Sequence, residues 1–574
     1  MAIHVRDGEY APLAIALVTL CIFCLAVAFL ATSSAWFRRW LGAHPNPRLA
    51  SLALRAGLAI QFALLFASWP GIDLPHRGHW QLLPFHIGLT VAVLLVFSEM
   101  FPRIFPGIFA RIFPRVSGKT TAPPNIARPN TASPNTAAPV VDRYCDAWWF
   151  PVLLVISLLL GVWMIHSSPA PHIDVWVFQQ NGAAELLHGR NPYAMTFPDI
   201  YHSTLPGHSA AYGSGLVVND RLRFGFIYPP LTLLLSTLSY ALTGDVRYAQ
   251  VCALVLAAAF IGYLRPGRLP KLAAALLLFS PRVFFILGRA WTEPFVVLLL
   301  AVTIFLACRP YRSGPVRAPS IGGGVGDGVT PNIAPGIAPR VAPGITPDIT
   351  PDIILSSARV SRPPVAPELP GLSRDLSLGL ALGLALGLLF AAKQYTILAV
   401  PLSFLLLPPF PLPPQRRWRD WLRTLWPALL VAAAVTLPFV VWNPQAFWKS
   451  VVTVQQLGPF RWDALTYLVW YGLRGHPWVA QPSVAFLCTA FAVLLALGLA
   501  LWRAPRTPLG FAAALALAAL VFFAFNKQAF ANYYFFVIGA LCCAIASCGP
   551  RVDRTANGSA DRLPQPAAQQ SLPL

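Results

Sequence analysis

The chain has 574 residues, of which 56% are hydrophobic and only 11% charged. A soluble domain carries about 25% charged residues, so there is too little polar surface to cover a water-soluble fold; a soluble enzyme, a disordered polymer and a secreted disulfide scaffold are excluded. The net charge of +21 comes from 42 Lys and Arg against 21 Asp and Glu. It is concentrated in short stretches between apolar runs, as in cytoplasmic topology determinants rather than a nucleic-acid surface.

A helix needs about 20 mostly apolar residues to cross a hydrocarbon layer about 30 Å thick. In chain order the candidate runs are 11–31, 50–68, 83–100, 147–165, 227–243, 247–264, 271–289, 292–308, 376–392, 395–408, 424–442, 484–502, 508–525 and 532–548. The first is too long for a cleaved signal peptide and lacks its small-residue exit, so it reads as an anchor. Basic residues set the orientation. Arg38, Arg39 and Arg48, the group from Arg103 to Arg143, the cluster Arg416, Arg417, Arg419 and Arg423, and the pair Arg503 and Arg506 all face the cytoplasm if the N-terminus is outside. That choice puts 166–226 and 443–483 outside, with the turns at Lys393 and Asn526–Asn532. Counting 271–289 as a full span would invert everything after it. Pro281 and Arg282 in its middle predict a re-entrant or broken segment instead, because bent backbone survives at membrane depth where it lines a protein cavity. The expected fold is all-α and polytopic, with about 13 transmembrane helices plus a re-entrant segment.

Residues 119–140 and 313–371 are rich in Pro, Gly, Thr and Ala and cannot bury enough apolar surface to offset their ordering entropy. The predicted division is an N-terminal three-helix extension (1–100), a basic Pro-rich cytoplasmic linker (101–146) and a membrane core (147–308) carrying external loop 166–226. A disordered cytoplasmic linker (309–375), C-terminal helices completing the core (376–548) and a disordered tail (549–574) follow.

Ionisable residues at the rim of a membrane bundle are costly to desolvate and are functional candidates for that reason. In the external loop, residues 174–188 alternate apolar and polar positions as an amphipathic surface helix does, and Gly189, Asn191 and Pro192 stop it. Asp174 stands at its start, where two compatible readings are open: an N-cap carboxylate, or a general base taking a proton from a substrate hydroxyl. On the same expected face lie Arg289 and Glu293, Lys393 and Tyr395, Arg461 and Asp463, and Asn526, Lys527, Gln528, Asn532 and Tyr533. Singly these are snorkelling or structurally paired side chains; Glu293 reads either as a second acid or as a partner for Arg289 one turn away. Together they resemble a site for a lipid-borne phosphate. Trp176, Trp291, Trp442, Trp462, Trp470 and Trp478 suit an interfacial belt or sugar stacking. No Walker, Rossmann or H-E-x-x-H motif is present.

Asp174 in IDVWVFQQNGAAELLHGRNPY, the G-x-N-P-Y ending at Tyr193, the Tyr228-Pro229-Pro230 motif, KQY at 393–395 and NKQAFANYYFF at 526–536 together resemble the GT-C superfamily of integral-membrane glycosyltransferases. They are most similar to glycosyltransferase family 87, the polyprenol-phosphate-mannose-dependent mannosyltransferases. The resemblance covers roughly 147–548. It implies transfer of a hexose, mannose in that family, from a polyprenyl-phosphate donor to a hydroxyl of a glycolipid or glycan acceptor, at the non-cytoplasmic face of the cell membrane. Asp174 would be the catalytic base, and Lys393, Lys527, Arg289 and Arg461 the donor-phosphate ligands. Glu293, Tyr193, Tyr228, Tyr395, Gln528, Asn532 and Tyr533 would be substrate-binding candidates. Many members carry two adjacent acids in this loop, whereas Val175 follows Asp174 here; that argues for a single base with no metal or other cofactor. The alternatives are a transporter or flippase, which would show inverted repeats and mid-span ionisable groups, and a non-catalytic scaffold.

Overall fold

A computed structural model describes residues 1–31, 47–71, 79–98, 147–202, 211–213, 215–309, 372–407 and 414–548. The expected linkers and tail fall outside these residues, apart from Arg309 and the start of a helix at Leu372.

Every candidate run is helical. The N-terminal helices are α1 (Pro12–Ala31), α2 (Pro47–Ala67) and α3 (Leu83–Phe97). Then come α4 (Trp149–Ser167), α5 (Asp174–Leu187) in the long segment after it, α6 (Pro230–Thr243), α7 (Arg247–Gly262), α8 (Arg268–Leu278), α9 (Val283–Gly288) and α10 (Glu293–Ala307). The remainder are α11 (Leu372–Phe390), a run of helical turns α12 (Gln394–Leu406), α13 (Pro414–Trp442), α14 (444–457, with a π turn at Lys449–Thr453), α15 (Tyr467–Gly472), α16 (Pro482–Arg503), α17 (Pro508–Ala524) and α18 (Ala531–Ser547).

Among the described residues, five helices are long and apolar enough to cross a membrane, Pro12–Ala31, Leu49–Ala67, Trp149–Ser167, Trp418–Trp442 and Pro482–Arg503; the chain is a multi-pass membrane protein. The described residues do not confirm the expected count of about 13 spans, since many of the apolar helices are shorter than a crossing needs. The 14 residues of α6 and 16 of α7 extend only about 21 and 24 Å at 1.5 Å per residue, and the two are bent by 115°. Left-handed Gly244 ends α6 and the Asp245 carboxylate accepts the Arg247 N–H (2.8 Å) to begin α7. The expected break in 271–289 is present: α8 stops at Leu278, Pro281 supplies no N–H, and left-handed Arg282 (φ 68°) restarts the chain as α9.

One continuous apolar core runs from Ile3 to Ala546. Helices α17 and α18 are buried almost all round, with α7, α8 and α10 against them or one another. Helix α1 packs on α15, α16 and α17, so the first helix is joined to the C-terminal part of the bundle. Gly539 lets α18 approach α10 at Val297, where a Cβ would collide with that side chain. Leu13, Phe23, Val441, Phe486, Phe491 and Leu494 point outward, as lipid-facing residues do. These contacts lie within the compact unit formed by residues 1–309 and 379–574.

The segment between α4 and α6 has its own small core. A three-stranded antiparallel sheet of β1 (Phe197–Pro198), β2 (Val217–Val218) and β3 (Arg221–Leu222), in the order β1-β3-β2, pairs Leu222 with both Phe197 and Val217. Asn219 and Asp220 are both left-handed, as a two-residue hairpin turn demands. Phe178 of α5 packs on Phe197 with ring centres 4.6 Å apart, and Phe439, Val451 and Val454 close the cluster from α13 and α14. The expected surface helix is therefore packed on one side by its own loop.

Candidate active site

Asp174 is the first residue of α5, one position after the N-cap, which is extended Ile173. The capping expectation is thus off by one residue, although Oδ1 still accepts a backbone N–H, that of Val175, at 2.8 Å. Two phenols hold the carboxylate: Tyr201 donates to Oδ1 (3.3 Å) while accepting the Asp174 N–H (3.2 Å), and Tyr212 donates to Oδ2 (3.2 Å). Burial raises the carboxyl above its ordinary range, against the opposing pull of these hydrogen bonds and the Arg461 charge. The same burial, with the Asp174 charge beside them, pushes both phenols up, so they stay protonated donors.

A buried amide network anchors α5. Gln179 donates to the carbonyls of Val175 (3.2 Å) and Ala290, and its Oε1 accepts from Ser236 (2.9 Å) and Gln250 (3.0 Å). Gln250 also donates to the Ala290 carbonyl (3.0 Å). Ala290 is left-handed (φ 56°), and its fixed carbonyl sets the turn from which α10 begins at Glu293. Fully buried Arg247 joins the same region, donating to the Asp245 carboxylate (2.6 Å) and to the carbonyls of Ser168 (2.7 Å) and Pro169 (3.3 Å) after α4.

Glu293 is fully buried and forms an ion pair with Lys393, in the turn between α11 and α12; its Oε1 also accepts from the Asn532 amide (2.9 Å). The Lys393 ammonium lies over the rings of Tyr228 (4.8 Å), Tyr533 (5.5 Å) and Tyr395 (5.7 Å). Tyr228 and Tyr533 each interact electrostatically with both Asp174 and Glu293. The two carboxylates therefore belong to one constellation, drawn from α5, α10, the α11–α12 turn and α18.

The other expected ligands have different occupations. Arg289 is not the partner of Glu293: α9 ends before it and α10 starts after it, so no helical turn links them, and Arg289 donates to the His172 carbonyl (3.3 Å) beside Asp174. Arg461 is paired with Asp463 (2.6 and 2.9 Å). Lys527 donates to the carbonyls of Gly458 (2.6 Å) and Gln456 (3.1 Å) at the end of α14, and burial lowers its pKa. Buried Tyr193 donates to the Tyr228 carbonyl (2.9 Å), which makes it a support for Tyr228. Gly225 passes so close to the Tyr193 carbonyl that no Cβ would fit. Tyr395 is buried, and Gln528 is half-buried in the loop before α18. Trp442, Trp462 and Trp478 are exposed, whereas Trp176, Trp291 and Trp470 are half-buried. Sequence reasoning missed Tyr201 and Tyr212, which carry no spacing signal; Gln394, within the KQY motif but given no role there, donates its amide to the Ile227 carbonyl (2.9 Å). Among the described residues, no group of three or more His, Cys, Asp or Glu could hold a metal ion.

No protein family and no curated protein matches the chain. Two crystal structures of ArnT from Cupriavidus metallidurans are similar, one bound to undecaprenyl phosphate (15% identity, 69% of this chain) and one in the apo state (13%, 70%). Both have a TM-score of 0.37, and in each the match spans 58% of the ArnT chain. A TM-score of 0.37 is too low to bear on this chain's fold or function.

Proposed function

We propose that the protein is a membrane glycosyltransferase that moves a hexose, mannose in the first instance, from a polyprenyl-phosphate donor to an acceptor hydroxyl at the non-cytoplasmic face. The observation that carries this reading is the Asp174 carboxylate, held by Val175, Tyr201 and Tyr212 next to the Tyr228–Lys393–Glu293 cluster, in a segment whose motifs resemble family 87. The acceptor oxygen attacks the anomeric carbon, the bond from that carbon to the phosphate oxygen breaks, and Asp174 takes the hydroxyl proton. Arg289 and Lys393 steady the departing phosphate, while Arg461 supplies field from its pair with Asp463. Orientation of two substrates and charge stabilisation supply the rate, because a lipid phosphate is already a competent leaving group.

The test is purified protein in lipid nanodiscs, given labelled polyprenyl-phosphate mannose and an envelope glycolipid extract. Label should pass to the acceptor with wild type and not with Asp174→Asn. Retained transfer in that variant removes Asp174 from the mechanism; transfer from a donor carrying another sugar, and not from the mannose donor, corrects the sugar alone.

A further inference from the structure

Residues 2–10 follow an unusual path. Arg6 (φ 47°), Asp7 (φ 59°) and Gly8 (φ 83°) are three consecutive left-handed residues, two of them not glycine. Such backbone persists only where its surroundings over-determine it, and here they do. The Asp7 carboxylate pairs with Arg282, the left-handed residue at the break between α8 and α9, whose guanidinium also donates to the Trp69 carbonyl (2.9 Å). Gly8 lies against the Ala531 backbone so closely that any Cβ would clash with it. The Tyr10 N–H donates to the Asp463 carbonyl (2.8 Å), Glu9 bridges to Ala464, and Ile3 is buried.

Each anchor is next to a residue of the site. Ala531 precedes Asn532 and Tyr533, the ligand of Glu293 and the ring over Lys393. Asp463 is the partner of Arg461, whose charge acts on Asp174. Arg282 starts the short helix that leads to Arg289 and Glu293. Leu465, two residues past Asp463, donates to the Ala529 carbonyl (2.9 Å), so the two C-terminal anchors are also joined to each other.

We infer that residues 2–10 are a positioning strap for the site: through Asp7–Arg282, the Gly8–Ala531 contact and the Tyr10–Asp463 hydrogen bond they fix where Arg461 and the start of α18 stand relative to Asp174. None of these residues touches the reacting groups. The inference rests on the transferase reading only for its effect on turnover.

The test uses the full chain in nanodiscs with Asp7→Asn, which removes the charge but keeps a side chain that tolerates the left-handed backbone. Amide exchange at Tyr10 and Leu465 should quicken roughly tenfold, the worth of one charge-assisted hydrogen bond. The Asp174 carboxyl, followed by infrared difference against Asp174→Asn, should titrate at higher pH because Arg461 is no longer held near it. Tyr201, Tyr212, Tyr228 and Tyr533, the other groups facing that carboxyl, are unchanged by the substitution. If Asp7→Asn does not fold, Tyr10→Pro, which deletes the N–H given to Asp463 along with the phenol ring, carries the same expectations when compared with Tyr10→Ala, which loses the ring and keeps the N–H. A variant that is merely less stable, with the Asp174 titration in place, overturns the inference. Neither readout needs turnover, so a wild type that transfers no sugar overturns the transferase reading and leaves the strap to be decided by exchange and titration.

Discussion

Replacing Lys393 by Met keeps most of the side chain's volume and removes its charge. Fully buried Glu293 would then retain only the Asn532 amide at 2.9 Å, and its Oε2 already has no hydrogen-bond partner among the described residues. Removing one member of a buried ion pair costs about 3–5 kcal/mol, because the other charge is left uncompensated. The reverse substitution, Glu293→Gln, is milder. It leaves an ammonium over three tyrosine rings at 4.8–5.7 Å, and a desolvated cation–π contact is worth about 2 kcal/mol. Lys393→Met should therefore exceed Glu293→Gln by about 2 kcal/mol. The double variant should return to within about 2 kcal/mol of wild type, since an apolar and a neutral group can replace a buried pair at little net cost. Denaturant unfolding in mixed micelles, run as a double-mutant cycle, measures all three. A coupling energy under about 0.5 kcal/mol, or Glu293→Gln proving the more damaging, would refute the pairing.

Tyr212→Phe removes one donor to the ionised Asp174 carboxylate. A hydrogen bond to a charged group is worth about 1.5 kcal/mol, or roughly tenfold in proton affinity, so the acidic limb of the pH–rate profile should move to higher pH; a limb that stays put detaches Tyr212 from the base. Asp174→Asn should stabilise the fold at neutral pH while abolishing transfer. Burial raises the folded-state pKa of this carboxyl, so its contribution favours folding below the ordinary carboxylate range and is lost as pH rises through the raised value. Thermal unfolding of the variant should exceed wild type at neutral pH and converge with it in acid. Arg247→Met, which abandons the Asp245 carboxylate and the Ser168 and Pro169 carbonyls, should cost about 3–5 kcal/mol; unfolding within about 0.5 kcal/mol of wild type, a surface-residue effect, would show that this clamp is not structural.

The helices were legible because an apolar run of this length has no other way to satisfy its backbone in lipid, and Pro281 beside Arg282 announced the one break that mattered. The grouping of Asp174, Glu293, Lys393, Asn532 and Tyr533 was also legible: the distribution of Arg and Lys put those turns in one set, and the structure places the residues near one another. Partnership was not legible. Lys527 looked like a phosphate ligand, yet it meets the carbonyls that end α14, a helix whose terminus no periodicity marked. Arg289 and Glu293 are spaced as helical neighbours, but left-handed Ala290 lies between them. Tyr201 and Tyr212 reach Asp174 across 27 and 38 residues of loop, and the strap reaches Asp463 across more than four hundred; nothing local encodes either.

The two carboxylates of the site are not interchangeable, and their surroundings say why. Glu293 is matched by an ammonium and has no exposed surface; taking a proton would break its ion pair and strand Lys393 among the rings. Among the described residues Asp174 is held by neutral donors, two phenols and a backbone N–H, while the cation whose charge acts on it, Arg461, is already committed to Asp463. A proton arriving on Asp174 therefore breaks no ion pair, and the phenols can turn to accept as well as donate. Half-buried at the mouth of the loop core, Asp174 is the carboxylate that can exchange a proton with something outside the protein, whereas Glu293 holds Lys393, Asn532 and the three tyrosine rings in the arrangement around it.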